Sequence, residues 1–314
     1  MALKKSIKWG VNGHNKYSYP AYAANDERAL ELAAELGCTI YRINCRPKNE
    51  EQLAYTRSVI DKCHALGMEV MLVLDYGMNW GKELLKEPEK LVQEITYIGE
   101  NLKDVVDYFQ MLNETDIWCS GVEGGYYNLT DPTGQTPGYF NPERVEIAVA
   151  LMKLTLPALQ AAAPGVKTVI NFGVRHYPIL DWYIEAGLKW DIIAIDNYEI
   201  WDYYEFFHFL EDRYPGYDLM VVECNYPALW GPYDDPDQKE TEWLDMFLNK
   251  MNEYDSDRLK AVIIYELLDQ PEYELKKGSY HGESHFGLVA LNDDNTIKAK
   301  KPAFELVKKL YRGE

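Results

Sequence analysis

The sequence has little cysteine and histidine, and what it has is not arranged for metal or redox chemistry. Its five cysteines, Cys38, Cys45, Cys63, Cys119 and Cys224, are an odd, scattered set with no CxxC pair. Neither a disulfide framework nor a zinc site is indicated, and buried thiols are expected. The six histidines include no HxH or HExxH pair, which argues against a metal-hydrolase barrel. A glycine-rich nucleotide turn is missing as well. The first strand candidate ends in VNGHN, with one glycine, where a doubly wound dinucleotide fold would want several. The start, MALKKSIKWGVNG, lacks the apolar stretch of a signal peptide, and no run reads as long enough to span a bilayer. A cytoplasmic location is expected from this, or secretion with the leader already removed. Positive charge is scarce too: 32 Lys and Arg stand against 51 Asp and Glu, a formal net charge of −19. That balance repels phosphate backbones, so neither nucleic acid nor an anionic membrane is an expected partner.

What is present is a rhythm. Apolar runs at residues 7–11, 39–44, 68–75, 105–112, 167–172, 191–197, 219–226 and 259–265 read as buried strands. Helical segments lie between them. Asn25 and Asp26 open one over residues 27–36 that Gly37 stops, and Asn49-Glu50-Glu51-Gln52 has capping-box spacing before a second. Pro88 starts a third, Asn141-Pro142-Glu143 a fourth that Pro164-Gly165 ends, and residues 177–186, 199–214 and 239–254 supply three more. Lys301-Pro302 starts a closing helix with Phe304, Val307, Leu310 and Tyr311 on one face. Near-continuous apolar strands alternating with amphipathic helices point to a parallel sheet covered by helices. Eight such units in 314 residues match an α/β (β/α)8 TIM barrel, one domain over residues 1–314, better than an open sheet.

Two of the strands end in glutamate: DYFQMLNE in Glu114, and LMVVE in Glu223. A carboxylate at the end of a buried run needs partners, a neutral state or a chemical task. In such barrels the C-terminal strand ends form the active face. Carboxyls from strands four and seven would approach a bound molecule from opposite sides, the geometry that glycoside hydrolysis requires. With 51 acidic residues in the chain, one glutamate at a strand end is unremarkable; two at these strands say more.

Asn113-Glu114 after strand four and Glu223 at the end of strand seven resemble clan A of the retaining glycoside hydrolases. Arg42 in YRIN resembles that clan's strand-two arginine, Tyr198 in DNYEIW its strand-six tyrosine, and Lys301-Pro302-Ala303-Phe304 the final helix of many members. The resemblance covers the whole chain in layout. It implies that Glu114 is the acid/base and Glu223 the nucleophile, held ionised by Arg42 and Tyr198, with Asn113 bonding the sugar 2-hydroxyl. It further implies carboxyls about 5–5.5 Å apart and net retention of configuration. A second carboxylate nearby would raise the pKa of Glu114 and keep it protonated. The chain departs from the clan at strand eight, where many members carry a stacking tryptophan and this one has IIYELLDQPEYE. Tyr265 or Glu266 must take that role, and the strand phase leaves both open. Asp75-Tyr76 in strand three is another departure, and both bear on which sugar is bound.

Aromatic residues are many, with 25 Tyr and 8 Trp. Packing explains most of them, but flat faces with polar edges also suit sugar rings. Trp118, Tyr126, Tyr127, Tyr139 and Phe140 lie in a long loop after Glu114, while Trp201, Trp230 and Tyr233 follow strands six and seven. Each is either a substrate platform or a cover over the barrel end. His14 after strand one and His176 after strand five are placed to bond a ligand hydroxyl or to serve structure. His281-Gly282-Glu283-Ser284-His285 reads as a ligand-facing or solvent loop, more than as a metal site. The Asn113 and Asn128 sequons read as coincidence. The expectation is a retaining glycosidase for a β-linked glycoside or oligosaccharide that needs no cofactor. A non-catalytic carbohydrate-binding barrel and a transglycosylase with the same residues are the alternatives.

Overall fold

The computed structural model describes residues 3–75, 81–120, 134–198, 203–226 and 235–314. Eight strands, β1 (Lys8–His14), β2 (Ile40–Asn44), β3 (Glu69–Leu74), β4 (Tyr108–Met111), β5 (Lys167–Gly173), β6 (Ile192–Asn197), β7 (Asp218–Cys224) and β8 (Leu259–Ile264), follow one another in sequence order around a closed barrel. The (β/α)8 expectation holds. Around the strands run α1 (Pro20–Leu36), α2 (Glu50–Ala65), α3 (Gly81–Leu84), α4 (Pro88–Leu102), α5 (Thr115–Cys119), α6 (Pro142–Ala162), α7 (Pro178–Glu185), α8 (Tyr203–Arg213), α9 (Pro236–Glu253), α10 (Glu272–Lys277) and α11 (Pro302–Arg312). Two short antiparallel strands, β9 (Val289–Leu291) and β10 (Ile297–Lys300), form a hairpin before α11. The eight-unit rhythm did not reveal it, because three- and four-residue strands carry too little pattern.

Local chemistry explains the boundaries. α1, α4, α6, α7, α9 and α11 each have proline in the first turn, where its fixed φ fits and no N–H is missed. Asn141 Oδ1 caps α6 by accepting from the N–H groups of Glu143 and Arg144. Asn49 Oδ1 accepts from Gln52 N, but Gln52 Oε1 reaches back to Lys48 N, one residue earlier than a standard capping box. Asn25 does not start α1, which begins at Pro20. It kinks the helix instead (φ −129°), and its side chain donates to Ala21 O. Strand four is shorter than expected, since Leu112 turns into the left-handed region (φ 61°). All five cysteines are buried, and none is in a disulfide.

The chain packs as two compact units: Met1–Ile43, Lys62–Val70 and Asn197–Glu314 in one, Asn44–Asp61 and Met71–Asp196 in the other. In the second, α4 lies against α6. A Cβ at Gly99 would come within 2.7 Å of Ala162 Cβ, so glycine permits the close approach. α6, with 21 residues, is long and apolar enough to cross a membrane by length and composition alone. This corrects the expectation that no such run exists. Its buried residues, Val145, Ala148, Leu151, Met152, Leu156 and Leu159 among them, recur at helical spacing on one face, the pattern of a helix laid on a core.

In the first unit, α1 and α9 pack against α11, whose Ala303, Phe304 and Val307 are buried. The residue before this helix is the buried Lys301. Its Nζ lies 2.9 Å from Asp269 Oδ1 and donates to His285 O at 2.7 Å. Burial alone would lower its pKa, but the carboxylates of Asp269 and Glu240 raise it. Lys301→Ala leaves Asp269 buried without its cation, so urea denaturation is expected to show a loss of about 3–5 kcal/mol.

Candidate active site

Glu223 follows Leu219, Met220, Val221 and Val222, all fully buried, so β7 presents its carboxylate from a dry strand and leaves it 6% exposed. Both oxygens have donors. Arg42 Nη1 on β2 lies 2.8 Å from Oε1, and the Tyr198 hydroxyl donates to Oε2 at 2.8 Å. Arg42, itself 4% exposed, also donates from Nη1 to Asn12 Oδ1 at 2.5 Å. Asn12 Nδ2 in turn donates to Val222 O at 2.8 Å and to Ile264 O at 3.3 Å. One asparagine on β1 therefore orients the arginine and joins the backbones of β7 and β8. Burying an ion pair of this kind is tolerable only because its remaining polar groups are satisfied.

At the end of β8 the two candidates turn different ways. Glu266, fully buried, accepts from Gln270 Nε2 at 2.5 Å and from the Tyr22 hydroxyl at 3.1 Å, and lies 2.9 Å from His14 Nε2. His14 stacks on Tyr19 with ring centroids 4.0 Å apart. Tyr265 instead packs its ring against Tyr198 and Phe286 and donates its hydroxyl to Glu283 Oε2 at 3.3 Å. Burial first, then the charges of Glu283, Glu266 and Glu223, push the Tyr265 pKa up.

Glu283 stands in the loop after β8, on a short 3₁₀ turn, Gly282–Ser284. That turn is pinned: Ser284 Oγ donates to Gln270 O, and Glu274 N donates to Ser284 Oγ. Burial, and then the negative charges of Glu266 and Glu223, push the Glu283 carboxyl up to about 8. Two acidic neighbours disfavour a third charge. The HGESH segment thus brings a carboxyl near the nucleophile candidate, which sequence spacing did not reveal.

The Glu114 half is built differently. Asn113 Oδ1 accepts from Gln110 Nε2 at 3.0 Å and from Asn171 Nδ2 at 2.9 Å. Asn171 Nδ2 also donates to Asp196 Oδ2 at 2.6 Å, and Asn171 Oδ1 accepts from Glu114 N at 3.2 Å. Glu114 itself is left-handed (φ 43°) and half-buried. Asp116, fully buried, accepts from Gly173 N at 3.1 Å and lies 2.8 Å from His176 Nδ1. Burial raises its pKa, opposed by His176. His176 is thereby bonded to a protein carboxyl, with Tyr139 and Phe140 against its ring.

Trp118 is half-buried on α5 with the Arg144 guanidinium 5.4 Å above its ring. Trp201 and Trp230 lie outside the described residues, as do Tyr76, Tyr126, Tyr127, Asn128 and Tyr233. Sequence reasoning missed Asn12, Asn171, Asp116, Gly173 and Glu283. A polar residue closing an apolar run was the available signal for the first two.

Glu283 yields a pH test. Its folded pKa of about 8 lies above the ordinary ~4.3 of an unfolded glutamate. The folded state keeps a proton that the unfolded state loses in that window, so this contribution to stability is present at low pH and is lost as pH rises to about 8. Glu283→Gln imitates the protonated form and does not titrate. Its melting temperature is expected to match the wild type at pH 4 and to exceed it increasingly towards pH 9.

No protein-family model matches the sequence, and no curated protein matches it. Solved structures do. The β-glycosidase BGL167 is 15% identical over 99% of this chain and 97% of its own, with a TM-score of 0.69. The family 1 β-glucosidase from Thermotoga maritima, in complex with isofagomine lactam, is 12% identical over 99% and 98%, with a TM-score of 0.74. The virulence factor SghA, in complex with its substrate analog salicin, is 13% identical over 98% and 96%, with a TM-score of 0.71; another SghA structure gives its source as Agrobacterium tumefaciens. At such identities the likeness speaks for architecture alone: this chain has the closed (β/α)8 barrel fold that these structures share.

Proposed function

We propose that the protein is a retaining glycoside hydrolase acting on a β-linked glycoside or oligosaccharide. Glu223 is the nucleophile and Glu114 the acid/base. The observation that carries this reading is the Glu223 carboxylate, buried at the end of β7 with the Arg42 guanidinium on one oxygen and the Tyr198 hydroxyl on the other. Charge-assisted bonds of this kind fix the direction of both carboxyl oxygens, as attack on a single carbon requires. Glu114 follows strand four of the same closed barrel.

In the first step Glu223 attacks the anomeric carbon while Glu114 gives its proton to the departing glycosidic oxygen. In the second, Glu114 takes a proton from water, whose oxygen displaces Glu223 and restores the carboxylate. Asn113 would bond the sugar 2-hydroxyl, and Tyr265 is the aromatic at strand eight offered to the ring. The ligands bound to two of the fold relatives, isofagomine lactam and the substrate analog salicin, support a carbohydrate ligand here as well.

Glu223→Ala is expected to lower turnover of activated aryl glycosides at least about a thousandfold, with azide restoring part of it as an inverted product. A 2-fluoro glycoside is expected to add one sugar mass to the peptide containing Glu223. Full activity in the variant, or label on another peptide, removes Glu223 from the mechanism. Sugar binding without turnover across an aryl-glycoside panel identifies a carbohydrate-binding barrel instead.

A further inference from the structure

The turn that carries Glu114 is fastened at each of its first three residues, at two of them to the end of β5 and at one to α7. Glu114 N donates to Asn171 Oδ1 at 3.2 Å, the Thr115 hydroxyl lies 2.9 Å from the Tyr183 hydroxyl on α7, and Asp116 Oδ2 accepts from Gly173 N at 3.1 Å. Asn171 is fixed in turn through Nδ2 to Asn113 Oδ1 and Asp196 Oδ2, on a strand whose register with β6 is unbroken from Val169 to Gly173. These bonds hold Glu114 at a left-handed φ of 43°, a conformation costing about 1–3 kcal/mol that persists only where surrounding structure over-determines it.

Gly173 adds a constraint of a different kind. A Cβ there would lie 2.8 Å from Glu114 Oε1 and 3.1 Å from Ile117 Cδ1. Its backbone φ is not in the left-handed region, so conformational freedom does not explain the glycine. What its missing side chain leaves is room for a carboxyl oxygen.

We propose that Asn171 and Gly173 are positioning residues for the acid/base: Asn171 fixes the Glu114 backbone, and Gly173 reserves the space in which its carboxyl sits. This rests on the reading of Glu114 as acid/base and adds how that carboxyl is held. Gly173→Ala meets first the flexible end of the Glu114 side chain. The displacement therefore falls on the carboxyl more than on the barrel. A general acid must stay within hydrogen-bond reach of the oxygen it protonates, about 2.6–3.2 Å, so a shift of a few tenths of an ångström is felt in proton transfer. Asn171→Ala releases the Glu114 N–H and acts on the same group from the backbone side.

The test is the leaving-group dependence of kcat/KM, measured for wild type, Gly173→Ala, Asn171→Ala and Glu114→Gln on aryl glycosides with leaving-group pKa from about 4 to about 10. Loss of a general acid weighs most on the poorest leaving groups, because these cannot depart as anions. Both positioning variants are expected to lose about 10–100-fold on the phenyl glycoside and less than about threefold on the 2,4-dinitrophenyl glycoside. Labelling of Glu223 by a 2-fluoro 2,4-dinitrophenyl glycoside, which needs no acid, is expected to proceed at close to the wild-type rate in both. An equal loss at every leaving group, or no loss at any, overturns the proposal. A flat series in Glu114→Gln removes Glu114 from the acid role itself, so the two failures are told apart.

Discussion

A carboxylate withdrawn from water at the end of a buried strand is the constraint from which the rest of the Glu223 neighbourhood follows. Removing one partner from such a pair typically costs 3–5 kcal/mol, because the other charge is left uncompensated. Arg42 therefore has to be present, oriented and itself satisfied, which is what Asn12 does. Asn12 in turn is held by carbonyls of Val222 and Ile264, so the arginine's aim depends on the pairing of β1, β7 and β8. Tyr198 completes the set from the end of β6. A single buried charge thus organises four strand ends by hydrogen bonding.

The two glutamates are held by different physics. Glu223 is fixed by opposite charge and donors on its own carboxyl oxygens. Glu114 is fixed through its backbone and through the space left over Gly173. One set of contacts acts on the carboxyl oxygens themselves, the other on the turn that carries the side chain. Around Tyr265 the same logic extends to Glu283, whose proton is retained by burial and by Glu266 and Glu223.

The barrel was legible in the sequence because its strands are buried on both faces and read as near-continuous apolar runs, 219–222 and 261–264 among them. Glu223 stood out as a carboxylate closing such a run, whereas Arg42 and Tyr198 were singled out by their resemblance to clan A residues. Other pieces were hidden by distance along the chain. Asn171 meets Glu114 across 57 residues, Asp116 meets His176 across 60, and Glu283 meets Tyr265 across 18. No local period encodes those meetings. Gly173 was hidden for another reason: glycine at a strand end reads as punctuation, and only the carboxyl above it shows what the missing side chain does. Helix starts fell between these cases, since Asn25 has the composition of a cap yet serves as a kink.

The left-handed backbone at residues 112 and 114 bears on how this chain tolerates change. Glycine and asparagine rest there comfortably, while leucine and glutamate do not. Selection for thermal robustness alone would favour trading Glu114 for one of the relaxed residues. Under the proposed acid/base role a glutamate there sets stability against chemistry, and stabilised descendants of this protein should be checked at position 114 before their gain is credited to better packing.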